Sequence, residues 1–116
     1  MNIIDELENI VNVETRKTAL NLLVDLVRQT PVDTGRARGN WQMNIKTPKL
    51  DIIENTSSSE SISVALGVAS KTKSVKYPVI YITNNLPYIV PLNNGHSTQN
   101  KVIKWVEGAM KRATNV

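Results

Sequence analysis

The residues with the strongest claim to chemistry are Asp33-Thr34-Gly35, within Thr30-Pro31-Val32-Asp33-Thr34-Gly35-Arg36-Ala37-Arg38-Gly39. Asp-Thr-Gly is the tripeptide that carries the catalytic carboxylate of dimeric aspartic proteases. Such an enzyme needs two carboxylates sharing one proton, with burial and like-charge repulsion separating their apparent pKa values. Here the tripeptide follows a helix stopped by Pro31 and is followed by Arg36 and Arg38, and a nearby guanidinium favours an ionised aspartate. No hydrophobic-hydrophobic-Gly segment follows to brace the site, because Ile52-Ile53 runs into Glu54. The expected role of Pro31, Asp33, Thr34 and Gly35 is therefore to form a loop. Asp33 can accept a backbone N–H two residues on, and Gly35 can take a positive φ at little steric cost. The protease reading is a remote alternative.

Other constellations are weaker. His96 is the only histidine and has no second ligand at metal spacing. The glycines fit neither a phosphate loop nor a dinucleotide fingerprint. No cysteine is present, so disulfides, thiolate metal sites and cysteine nucleophiles are absent together. No enzymatic activity, cofactor or metal is expected.

The elements that must position these residues follow from the hydropathy pattern. Residues 2–29 read as helix: Ile3, Leu7, Ile10 and Val11 recur at helical spacing. Ala19, Leu20, Leu22, Leu23, Val24, Leu26 and Val27 then form a wider apolar surface. Asn12 could cap a second helix and divide the segment, or the rod could run unbroken for roughly 40 Å at 1.5 Å per residue. A surface that wide needs either a sheet or another subunit over it, so Leu20, Leu23, Val24 and Val27 are candidate core or subunit-interface positions. Residues 40–46 alternate Trp41, Met43 and Ile45 against polar neighbours, as a strand with one buried face does. Residues 61–68 alternate through Ile62, Val64 and Leu66, and residues 77–83 set Tyr77, Val79 and Tyr81 opposite Ile80 and Ile82. Between these two, Lys71, Lys73 and Lys76 lie on a polar turn, so the pair is expected to be a basic hairpin. A last helix is expected over residues 100–113, with Asn100 as N-cap and Val102, Trp105, Val106, Ala109, Met110 and Ala113 on its apolar face. The expected fold is α+β: a long N-terminal helix, a three-stranded antiparallel sheet with a basic hairpin, and a C-terminal helix packed on the sheet. Residues 1–116 are read as a single domain.

Composition is that of an ordinary folded chain, 41% hydrophobic and 21% charged. The net charge of +4 is unevenly spread. Residues 1–60 hold 7 basic and 9 acidic residues, and residues 61–116 hold 7 basic and only Glu107. That asymmetry suits a polyanion, an acidic protein partner or a solvated face. The apolar runs are short and the first residues are acidic, so neither a membrane span nor a signal peptide is expected.

Two motifs, taken in order and spacing, carry a resemblance. The first is Thr30-Pro31-Val32-Asp33-Thr34-Gly35-Arg36-Ala37-Arg38-Gly39-Asn40-Trp41 after a long helix. The second is Tyr81-Ile82-Thr83-Asn84-Asn85-Leu86-Pro87-Tyr88, running on to Leu92-Asn93-Asn94-Gly95-His96-Ser97. The chain resembles the head-tail connector (neck or tail-completion) proteins of tailed bacteriophages, the family that includes minor tail protein Z. It departs from their pattern at Asn93, where an acidic residue is usual, in the segment before the last helix, and at Pro91, which interrupts a short helix expected there.

What the resemblance implies is architectural: a virion protein at the head-tail junction, made in the bacterial host cytoplasm. Its copies would form a hexameric or dodecameric ring between head-side adaptor or portal proteins and tail terminator or tube proteins. DNA would pass through without specific contacts, and no membrane would be involved. Arg36, Arg38, Lys71, Lys73 and Lys76 are then candidate contacts to a partner or the channel. A rival reading is a small basic nucleic-acid-binding domain with Tyr77, Tyr81 and Tyr88 as stacking residues. The sharing of one strand face by Tyr77, Val79 and Tyr81 suggests instead that these tyrosines belong to the core.

Overall fold

The computed structural model describes residues 2–31, 36–94 and 104–114. Helix α1, Ile3–Gln29, is unbroken over 27 residues. Asn2 caps it, its side chain accepting the Asp5 N–H at 2.9 Å, and Asp5 and Glu6 suit the positive end of the helix dipole. At the other end Thr30 leaves helical geometry and Pro31 prevents continuation. Asn12 therefore divides nothing. It is 5% exposed, and its amide donates to the carbonyls of Thr72 (2.6 Å) and Val75 while its oxygen accepts from Arg16 (2.6 Å).

Helix α2 (Arg36–Gly39) leads into strand β1 (Gln42–Ile45), on which Met43 is buried and Ile45 half-buried, with Trp41 buried just before it. The expected strand over residues 61–68 is instead part of helix α3, Ser58–Lys71. The Ser57 hydroxyl accepts the Glu60 N–H at 3.3 Å, half of the Ser-x-x-Glu capping pattern. The buried positions Ser61, Ala65 and Ala69 recur every four residues, and Val64 and Leu66, expected inside, are 61% and 56% exposed. Small side chains on the inner face let α3 approach the core closely, and the Ser61 hydroxyl donates to the Trp41 carbonyl at 2.6 Å. The basic hairpin is therefore absent: Lys71 ends α3, Lys73 lies in a 3-10 turn (Thr72–Ser74), and Lys76 follows it.

Strand β2 (Ile80–Thr83) pairs antiparallel with β1, Gln42 opposite Thr83 and Ile45 opposite Ile80. Among the described residues the sheet has two strands, not three. Directly paired residues share a face, so Met43, Ile45, Ile80 and Ile82 lie on one side. After β2 comes the short helix α4, Ile89–Asn93. Pro91 does not interrupt it, because a proline in the first turn has no intrahelical N–H bond to lose. Helix α5, Trp105–Thr114, packs mainly along α1 and not on the sheet as expected. Asn100 and Val102 lie outside the described residues; the Asn93 side chain accepts the Val106 N–H at 2.8 Å and so satisfies α5's first turn.

The core gathers where α1, α3, α5 and β1 meet, around Leu23, Val27, Met43, Ala65, Ala109 and the edge-on pair Trp41–Trp105, with ring centroids 6.3 Å apart. Of the candidate core or interface positions, Leu23 and Val27 are buried and Leu20 and Val24 half-buried. The wide apolar surface of α1 is thus largely covered by the chain's own elements.

Candidate functional site

The two sequence motifs meet in space and act as fasteners. The Asn84 amide donates to the Ala37 carbonyl at 2.9 Å, joining the end of β2 to α2. Trp41 Nε1 donates to Thr30 Oγ1 at 2.8 Å, and that hydroxyl donates to the Leu26 carbonyl at 2.6 Å. Arg38 donates to the carbonyls of Thr30 (2.7 Å) and Arg28 (3.1 Å), satisfying the last turn of α1 with positive charge at the negative end of its dipole. Arg36 pairs with Glu54 at 2.7 Å. Asn40 is fully buried: its amide donates to the carbonyls of Arg36 and Ile53, and its oxygen accepts the Ile53 N–H. The two arginines singled out as partner contacts are therefore engaged within the chain, Arg38 at the end of α1 and Arg36 with Glu54. Asp33, Thr34 and Gly35 themselves lie outside the described residues, as does His96.

Gly39 belongs to the same hub. A Cβ there would lie 2.7 Å from the Ser57 backbone nitrogen, so only glycine permits residues 56–57 to cross α2 this closely. Among the described residues no three His, Cys, Asp or Glu side chains gather as metal ligands, and no helix is long and apolar enough to cross a membrane.

Two surfaces stand out from this scaffold. The first is the N-terminal half of α1, an arm whose face toward the body is polar: Asn12 is anchored to residues 72–75, and Glu8 lies 4.0 Å from Lys76. Its apolar residues point the other way, with Ile3 71%, Ile4 60%, Leu7 54%, Ile10 57% and Val11 41% exposed. At ~100° per residue these five fall within about 120° of the helix circumference, on the side opposite Asn12, Ala19 and Leu23. The exposed apolar surface of α1 is thus this stripe, with Val13 (39% exposed) beside it, and not the stretch from Ala19 to Val27.

The second surface is the sheet face turned away from α1. Tyr77 and Val79 are 59% and 61% exposed and Tyr81 stands beside Asn44 on the outer side of the pair, so these residues are not core as their alternation suggests. With Ile45, Lys46 and Pro78 they line an open groove of about 360 Å³. Lys46, with φ 72°, turns the chain out of β1 at the groove's edge. Lys71, Lys73 and Lys76 are all exposed.

At the far end of α1, Arg112 of α5 donates to Asp25 at 2.8 Å, and this hydrogen bond and charge hold the guanidinium above its ordinary pKa. The arm and the tyrosine face escape sequence reasoning for one reason: apolar periodicity marks a face without saying whether the chain itself covers it. Asn12 stood out in the sequence only as a possible cap, because the carbonyls that hold it are 60 or more residues away in the chain. No protein-family model, curated protein or solved structure matches the chain, so the likeness to connector proteins rests on the two motifs.

Proposed function

We propose that the protein is a structural component of a phage neck, whose copies assemble into a ring joining head to tail and leaving a passage for DNA. The observation that carries this reading is the outward apolar stripe Ile3, Ile4, Leu7, Ile10 and Val11 on a helix pinned to the body by its polar side. A continuous oily face of this kind marks a protein contact, and obligate assembly interfaces are more apolar than transient ones. The motif resemblance supplies the kind of assembly, and the fastened hub supplies a rigid body to build it from. Lys71, Lys73 and Lys76 remain exposed, available for an acidic partner or for weak, salt-screened contact with passing DNA. No residue is assigned a catalytic role. The test is native mass spectrometry of the full chain together with imaging of particle necks. A closed ring of six or twelve copies at the head-tail junction is expected for this family; a chain that stays monomeric at every concentration and is missing from particles would refute the proposal.

The exposure of Tyr77 and Tyr81 favours a second reading, nucleic-acid binding, in which bases stack on this face beside Lys46. It predicts salt-dependent binding of short single-stranded DNA that Tyr77→Ala with Tyr81→Ala abolishes. Unchanged anisotropy of a labelled oligonucleotide at low salt would eliminate it.

A further inference from the structure

We propose that the N-terminal arm of α1 docks on the outer sheet face of the next copy in the assembly, its apolar stripe lying across Tyr77, Val79 and Tyr81. This deepens the ring reading and rests on it. The two surfaces match in length: Ile3 to Ile10 covers about 10 Å of helix, and Tyr77 to Tyr81 covers about 13 Å of extended chain. They also match in charge. Residues 2–15 carry Asp5, Glu6, Glu8 and Glu14 and no basic residue; Asp5 and Glu8 face the chain's own Lys73 and Lys76, which leaves Glu6 and Glu14 for a neighbour, whose groove is bordered by Lys46. Aromatic residues in a shallow groove with a charged rim are the usual composition of a protein contact.

Other occupants fit less well. The arm cannot turn onto its own sheet, because Asn12 holds its polar side against residues 72–75 and α1 is continuous through it. Two arms packed together would set acidic residues against acidic residues. An anionic membrane attracts helices with a basic polar face, and this one is acidic. Docking an arm on a different surface of the neighbour is a heterologous contact, the kind that closes into rings when the rotation per subunit allows.

The absence of cysteine makes the test free of background. Leu7→Cys and Val79→Cys are prepared as separate full-length variants, both at exposed positions. They are then treated with a short bismaleimide, singly and mixed, at the highest soluble concentration. A covalent dimer is expected in the mixture and in neither variant alone, and it should fall at least tenfold when Ile10→Asp is added to the arm-bearing partner. A dimer from Leu7→Cys alone would overturn the proposal in favour of paired arms. Oligomers by native mass spectrometry without the mixed product would overturn the docking while leaving the ring reading intact; no oligomers and no product would remove both. Protection of Val79→Cys by short single-stranded DNA, with no mixed product, would assign the face to nucleic acid instead.

Discussion

Replacing Asn12 by alanine isolates the attachment of the arm to the body. The side chain is 5% exposed and donates to two carbonyls, Thr72 in a buried setting and Val75 in a partly buried one. Alanine leaves both acceptors without this donor. A buried unsatisfied polar group costs about 1–3 kcal/mol, with Thr72 near the upper part of that range and Val75, closer to water, near the lower. Alanine returns about half a kcal/mol of helix propensity, so the net loss should be about 2–3 kcal/mol. For a domain of this size each kcal/mol moves Tm by roughly 4 °C, giving a fall of about 10 °C. The assay is thermal and urea unfolding of the full chain, joined to amide hydrogen exchange. Protection of residues 5–13 should drop more than that of residues 19–27, since the latter are also held by core packing. A fall under about 2 °C with unchanged exchange in the arm would show that the amide is not what pins α1 to the 3-10 turn.

Ile10→Asp should lower the oligomeric mass seen by light scattering yet leave Tm within a degree or two, because the residue is 57% exposed; a large loss of Tm would mean that Ile10 belongs to the core of the monomer. Gly39→Ala should destabilise by about 1–3 kcal/mol, measured by urea unfolding, as the methyl group meets the Ser57 backbone. In contrast, a Cβ at Gly67, within α3, would meet nothing within 4 Å. Gly67→Ala should therefore raise stability by about 0.5–1 kcal/mol, and a loss would show that the face of α3 bearing it is already occupied. Ser57→Ala should cost about 1 kcal/mol of stability by removing the cap of α3, a loss that Ser57→Asp restores.

Local rules were enough where the answer lay within a few residues. Helical spacing from residue 2 and Pro31 bound α1, alternation around Met43 and Ile82 marked two strands though not their pairing with each other, and Trp105 with Ala109 marked the buried side of α5. In the motif Thr30 to Trp41, Pro31 was legible as the stop of α1, whereas the arginines, expected to meet a partner or the channel, bond the Thr30 and Arg28 carbonyls and Glu54 within the chain. Local rules failed at α3, where Ile62, Val64 and Leu66 imitate a strand. The signals against it, a serine three residues before Glu60 and alanines four apart, are weaker than three large apolar residues in alternation.

Only the tertiary structure decided which apolar faces are covered. Ile3, Leu7 and Ile10 look from the sequence much like Ala19, Leu23 and Leu26, yet the former face solvent and the latter the core. A helix is rigid, so one polar attachment at Asn12 and one apolar seat around Leu23, on the same side, fix the direction of every other residue along it. Which side that would be depends on carbonyls contributed from residues 72 and 75, far along the chain, and no local periodicity encodes them.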